Sequence, residues 1–239
     1  MYSYDIRVGY SSTAPDLKMT IPALLDCFQD AATFEAQEGT ITMEYLGNRH
    51  LAWLLGSWQI VLLRRPKIGE TIRITTMPYE FKGFLGYRNF TAKAQDGELL
   101  VKAASIWTLI DMEKLRPAKP TEEILNGYPL GERIDMEYAP RKIALLGEGR
   151  AEDKITIRRS QIDSNRHVNN VEYVKMAMEF LPFGDDGAHK EIKQLRAEYK
   201  KAAHYGDILT PIVHQSEDKL QVALCNEGGE PDAIVEFTV

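Results

Sequence analysis

The chain has 239 residues, with 29 Lys+Arg against 35 Asp+Glu for a formal net charge of −6, and 44% of its residues are hydrophobic. That much apolar side chain offsets the entropy of ordering, which excludes a globally disordered chain, and the mild acidity speaks against general nucleic-acid binding. The longest apolar run, residues 51–63, contains Ser57 and Gln59 and stops at Arg64-Arg65, too short to cross a bilayer, so no membrane partner is expected.

The first twelve residues, MYSYDIRVGYSS, lack the basic-then-apolar order of a signal peptide and the Arg/Ser-rich, acid-poor composition of a transit peptide. Cys27 and Cys225 stand far apart with no CxxC partner, so free buried thiols and a cytoplasmic location are expected. Thr20 reads as the cap of a helix with Pro22 in its first turn. Ile21, Leu24, Leu25, Phe28, Ala31 and Ala32 follow at helical spacing, and Gly39 is the stop. Strand-like segments come next at residues 52–63, 71–76, 88–94 and 100–110, the last two flanking the hairpin signal Asp96-Gly97. From 117 to 149, Pro117, Pro120, Pro129 and Pro140 alternate with Gly127, Gly131, Gly147 and Gly149, which reads as a linker or crossover.

The pattern then restarts. Residues 154–159 are strand-like, and Val171, Val174, Ala177, Met178 and Leu181 share one face of a second helix ended by Pro182 and Gly184. Further strands fall at about 192–203, 208–214, 220–225 and 233–239, with Gly228-Gly229 as a turn. In each half a basic pair (Arg64-Arg65, Lys200-Lys201) precedes a Gly-acid step (Gly69-Glu70, Gly206-Asp207), which supports an internal duplication. The expected class is α+β, one long helix wrapped by an antiparallel sheet in each half. Domains are expected at 1–120 and 150–239, with 121–149 as linker.

There is no GxGxxG after a strand, no Walker-type loop, no HExxH and no GxSxG, so no cofactor and no metal are expected. What remains is the run from Asp163 to Asn170. Asp163, Asn165 and His167 alternate, so an extended segment would put a carboxylate, an amide and an imidazole on one side. The imidazole can move a proton near neutral pH, the carboxylate can orient a partner, and the amide can donate to an oxyanion. The same run is equally readable as a polar loop capping the second helix through Asn169 or Asn170. His50, His189 and His214 have no polar cluster beside them and read as surface or strand residues.

Asp163-x-Asn165-x-His167-Val168-Asn169-Asn170-x-x-Tyr173 resembles the signature of the acyl-acyl-carrier-protein thioesterases, fatty-acid-releasing enzymes of bacteria and plant plastids. Pro66-x-x-Gly69-Glu70, Tyr87-Arg88-Asn89-Phe90, Asp96-Gly97, Ser105-x-Trp107 and Asp111 extend the resemblance over essentially the whole chain. It implies a double hotdog fold and hydrolysis of the thioester between a fatty acyl group and the phosphopantetheine arm of acyl carrier protein. It implies that Asn165 and His167 are catalytic and that Asp163 positions them. It also implies an apolar tunnel for the acyl chain under the first helix, with Phe28, Trp53 and Trp58 as candidate lining residues. Strand alternation puts Trp53 and Trp58 on opposite sides.

One departure stands out. The plant enzymes carry an acid followed by cysteine in a second-half strand, and here Ala202-Ala203 occupy those positions. Glu198 and His204 share strand alternation with Ala202. Either His167 with Asp163 suffices, or His204 supplies part of what is missing, or His204 is an ordinary strand histidine. The alternatives to a thioesterase are a non-catalytic acyl-thioester binder, which Ala202 favours, and a hotdog hydratase or dehydratase. Acyl carrier protein is acidic, and Arg64-Arg65-Lys67, Arg141-Lys142, Arg158-Arg159 and Lys200-Lys201 are candidate docking patches, or else ordinary strand-edge charges. A monomer and a homodimer both fit.

Overall fold

In the computed structural model, which describes residues 1–182 and 191–239, the chain forms two compact units, Met1–Ala139 and Pro140–Val239. In the first, an edge strand β1 (Tyr2–Arg7) precedes the helix α1 (Ile21–Glu38). Tyr2, Tyr4 and Ile6 are half-buried while Ser3, Asp5 and Arg7 are exposed, an alternation too short and too polar to stand out in the sequence. Thr20 Oγ1 accepts the Ala23 N–H at 3.2 Å and starts α1 as expected. A short helix α2 (Met43–Gly47) leads to β2 (Leu51–Leu62), β3 (Thr71–Lys82), β4 (Leu85–Ala94), β5 (Leu99–Asp111), β6 (Arg116–Pro117) and α3 (Glu122–Asn126). The antiparallel order is β1-β3-β4-β5-β2, with β6 on β5. Pro78 lies within β3 because the pairing shifts between Pro78 and Glu80, a bulge that spares the missing donor.

The apolar stripe of α1 covers one side of this sheet. Phe28 meets Phe90 and Trp58 at ring separations of 5.2 and 6.1 Å. The opposite facing expected for Trp53 and Trp58 is corrected by a second bulge. Leu55 pairs with Trp107 and Ser57 with Ile106, so Gly56 is the extra residue. One inserted residue reverses the alternation. Trp53, opposite Leu109, and Trp58, opposite Ser105, therefore point to the same side, toward the helix.

Residues 121–139, expected as linker, build on the first unit. Thr121 caps α3 through the Ile124 N–H, and Ile124 and Tyr128 pack with Ile41, Leu46 and Leu109. Farther on, the Asn89 side-chain oxygen accepts from the Ile134 N–H and the Tyr138 hydroxyl at 3.3 and 2.9 Å.

The second unit begins with the two-residue strands β7 (Arg150–Ala151) and β8 (Ile155–Thr156), less than the strand expected at 154–159. It continues with α4 (Asn170–Met178), β9 (Gln194–Tyr199), β10 (Ile208–Gln215), β11 (Lys219–Cys225) and β12 (Pro231–Thr238) in the antiparallel order β9-β12-β11-β10. Asn169 is the cap of α4, its Oδ1 accepting the Val171 N–H at 2.9 Å. Gly184 and His189 lie outside the described residues. β9 stops at Tyr199 and not at Ala203, because residues 200–206 leave the ladder for a loop that Gly206 closes at φ +90°.

The duplication is visible in two loops of each unit. Residues 163–167 repeat 14–18. The Asp163 N–H bonds the His167 carbonyl and the Arg166 N–H bonds the Asp163 carbonyl, as the Ala14 N–H bonds Lys18 and the Leu17 N–H bonds Ala14. Arg166 and Leu17 both take left-handed backbone, at φ +63° and +56°. Residues 203–207 repeat 66–70. The Val168 N–H donates to the Ala203 carbonyl as the Met19 N–H donates to Pro66. The Asp207 carboxylate accepts the His204 N–H as the Glu70 carboxylate accepts that of Lys67, both at 2.8 Å. Each unit is thus a helix on an antiparallel sheet with the same pair of loops, the tandem arrangement that the double hotdog class describes.

Candidate active site

The residues from Asp163 to His167 do not form an extended segment. They form a tight turn closed by the Asp163–His167 backbone bond and by an isolated bridge between Ile162 and Val168. The side chains come together differently from a strand face. Asp163 Oδ1 accepts the N–H of Asn165 at 2.8 Å and of His167 at 3.3 Å, and its Oδ2 lies 3.4 Å from Asn165 Nδ2. One carboxylate orders the backbone of both neighbours, the turn that an Asp side chain favours. Asp163 and His167 are half-buried and Asn165 is exposed.

Two further segments converge on this turn. The Ala203 carbonyl accepts from Val168, and the Ala203 N–H donates to the Tyr173 hydroxyl at 2.8 Å. Burial pushes the Tyr173 hydroxyl up to about 12, so it stays protonated at neutral pH. Its ring meets Tyr199 edge-on at 5.9 Å, and the Tyr199 hydroxyl donates to the Asn170 carbonyl at 3.0 Å. Tyr173 thereby fastens α4 to the loop after β9. That loop carries His204, whose ring stands 4.9 Å from that of His167 at 85°. His204 Nδ1 lies 3.7 Å from Asp207 Oδ2.

The strand alternation that grouped Glu198 with Ala202 and His204 ends at Tyr199. Glu198 lies on the side of β9 away from Tyr199 and is buried, its carboxylate accepting the Ile143 N–H at 2.9 Å. Asp207 was visible in the sequence as part of the Gly-acid step. Its relation to His204 was not, since it depends on the turn at Gly206.

Phe28 and Trp58 are fully buried and packed with Phe90, while Trp53 is half-buried and stacks on Phe81 at 5.8 Å. The structure joins the first two and places Trp53 in a neighbouring apolar cluster with Leu109 and Tyr128. Arg88 and Glu35 form a largely buried ion pair on the same side, supported by Thr76. A surface cavity of about 700 Å³ lies across β1, β3 and β4, lined by Ser3, Asp5, Arg73, Thr75 and Thr91 and by none of the candidate residues. His50 is exposed and 3.5 Å from Glu113, and His214 is a buried strand residue on the Leu146 carbonyl. Among the described residues, no group of three or more His, Cys, Asp or Glu side chains is placed to hold a metal ion, and no helix is long and apolar enough to cross a membrane.

Comparison with known proteins was consistent over both units. Residues 1–128 match the family model for the acyl-ACP thioesterase N-terminal domain, and residues 147–235 match that for the acyl-ACP thioesterase C-terminal domain. A chloroplastic palmitoyl-acyl carrier protein thioesterase of Gossypium hirsutum is 22% identical over 238 residues, 94% of this chain and 57% of that protein. A chloroplastic oleoyl-acyl carrier protein thioesterase of Arabidopsis thaliana is 24% identical over 221 residues, covering 85% and 58%. The chain spans a little over half the length of these curated relatives. Among solved structures, an acyl-ACP thioesterase from Bacteroides thetaiotaomicron superposes with a TM-score of 0.88 at 20% identity, covering 99% of this chain and 96% of that one. The 12:0-ACP thioesterase from Umbellularia californica gives 0.82 at 19% identity, covering 99% and 96%. At these identities the likeness speaks to the fold.

Proposed function

The chain belongs to the acyl-ACP thioesterase family, and from that premise we propose that it hydrolyses the thioester of fatty acyl-acyl carrier protein and releases free fatty acid. The observation that carries this reading is the single turn in which the Asp163 carboxylate orders both Asn165 and His167. In the proposed reaction water adds to the thioester carbonyl carbon and imidazole accepts its proton. The C–S bond then breaks, and the departing sulfur takes a proton to leave as the free thiol of the phosphopantetheine arm. The Asn165 amide has two N–H donors; one faces Asp163 and the other is left for the developing oxyanion. Asp163 touches no reacting atom in this scheme and acts by holding the turn. Phe28, Trp58 and Trp53 are proposed to line the acyl chain on the helix-facing side of the first unit's sheet, where all three reside. The same reading places the reaction in the cytoplasm, a compartment in which the free thiols of Cys27 and Cys225 stay reduced.

A non-catalytic binder is the second reading, favoured by Ala202, which brings no carboxylate to the site. Thiol release from acyl carrier protein thioesters of short to long chain decides between them. The wild type is expected to give free thiol and free fatty acid, and His167→Ala to lower kcat by about 10²- to 10⁴-fold. Saturable binding without turnover would replace the enzyme with the binder. Conversion of a 3-hydroxyacyl thioester without free thiol would indicate a dehydratase.

A further inference from the structure

We propose that His204 is a second catalytic imidazole, which takes the proton of the attacking water while His167 returns a proton to the departing sulfur. This rests on the thioester-hydrolase reading above and divides its proton traffic between two residues. Four observations carry it.

The first is contact: the two rings are 4.9 Å apart and nearly perpendicular. The second is that the contact is built into the fold. In the first unit the equivalent positions are Lys18 and Lys67, which form an isolated antiparallel bridge with each other. The loop pair therefore sets whatever residue stands at 204 against whatever stands at 167. In one copy that sets two lysines side by side, and in the other two imidazoles, whose ring nitrogens can donate and accept protons.

The third observation is Asp207. Its Oδ2 accepts the His204 N–H at 2.8 Å and lies 3.7 Å from Nδ1 of the same residue. The backbone bond has its counterpart at Glu70 and closes the loop in both units. Only in the second unit does the carboxylate also face a ring nitrogen, which favours the tautomer that leaves Nε2 free to accept a proton. The fourth is access. The His204 side chain is 58% exposed, Ala202 carries no acid, and Glu198 is engaged with the Ile143 N–H.

The proton balance closes. As the water oxygen bonds the carbonyl carbon, its proton passes to His204 Nε2. As the C–S bond breaks, the proton on His167 passes to sulfur. Proton transfer from His204 to His167 restores both rings, and the net change is thioester plus water to fatty acid plus thiol.

The test uses an acyl-pantetheine thioester and two acceptors, water and hydroxylamine. Hydroxylamine attacks as a neutral amine and needs no base to create the nucleophile. His204→Ala and His204→Gln are expected to lower kcat for hydrolysis by about a hundredfold, with KM nearly unchanged and the circular dichroism of wild type. Both should retain most hydroxamate formation, whereas His167→Ala loses both reactions. Asp207→Asn, a positioning change, should lower kcat less than His204→Ala and leave hydroxamate formation intact. Lys18→Ala, at the place equivalent to His167 in the other unit, should leave turnover of this small substrate unchanged. Full hydrolysis in both His204 variants, or equal loss for both acceptors, would overturn the role of His204 alone. A wild type that releases no thiol would overturn the hydrolase reading on which it rests.

Discussion

Ala203 shows how much of the site hangs on one backbone position. Its N–H goes to the Tyr173 hydroxyl and its carbonyl accepts from Val168, so a single residue ties α4, the Asp163–His167 turn and the His204 loop together. Tyr173→Phe leaves that buried N–H without an acceptor, which costs about 1–3 kcal/mol. Urea unfolding should report that loss, and kcat should fall as the His204 loop loosens. Tyrosine in an unfolded chain ionises near pH 10, while Tyr173 in the fold keeps its proton to about 12, as do Tyr79 and Tyr128. Between those values the folded chain binds more protons than the unfolded one. Stability from this source is therefore complete below pH 10 and is lost as the pH climbs toward 12. Unfolding free energy measured in that window should drop with pH, and less steeply in Tyr173→Phe. Tyr173 was legible beforehand as the last residue of the motif. Its bond to Ala203 was not, since the partner lies thirty residues away.

At the scale of elements, the strands of the second unit carry polar residues where a buried strand is ordinarily apolar. Glu198, Gln221 and Glu236 are all buried. They face away from α4; Glu198 and Gln221 hold the segment that crosses behind the sheet, and Glu236 accepts from the Gln221 amide. Glu198 accepts the Ile143 N–H, and the Gln221 amide bonds the Leu146 N–H and the Ala144 carbonyl. A chain segment laid over a sheet brings backbone donors and acceptors that need partners, and these side chains supply them. The segment ends at Gly149, where an added Cβ would lie 2.4 Å from Ile212 Cγ2 and 2.6 Å from His214 Cε1. Gly149→Ala is expected to destabilise the protein by about 1–3 kcal/mol through overpacking, read as a lower urea midpoint, whereas the open position Gly147 has no such neighbours. The glycine was visible in the sequence as loop punctuation, but the side chains it makes room for belong to a strand more than sixty residues later. Gly56 behaves similarly: its bulge brings Trp53 and Trp58 to one side, against the alternation that residue spacing alone implies.

For the whole molecule, net charge says little about how an acidic carrier protein would dock, and ion pairing says more. Arg64 is held by Glu70 and Glu98, and Arg65 by Asp16. By contrast Arg158, Arg159, Arg166, Lys200 and Lys201 are exposed, make no ion pair among the described residues, and flank the two loops that carry His167 and His204. Arg158→Glu combined with Arg159→Glu should raise KM for acyl carrier protein thioesters by about three- to tenfold, more at low than at high salt. KM for an acyl-pantetheine should hardly move, and an equal effect on both substrates would remove this surface from docking. Helix starts at Thr20 and at Asn169 or Asn170, the Asp96-Gly97 hairpin, the duplication and the Asp163–Tyr173 motif were all legible in the residues alone. Each rests on neighbours a few positions apart, where caps, turn chemistry and periodicity act. Which side each tryptophan faces, which basic pairs are spent on carboxylates and which residue stands opposite His167 were decided only by the tertiary structure. Those outcomes depend on register, bulges and loop-to-loop bonds, and such contacts join parts of the chain that carry no local record of one another.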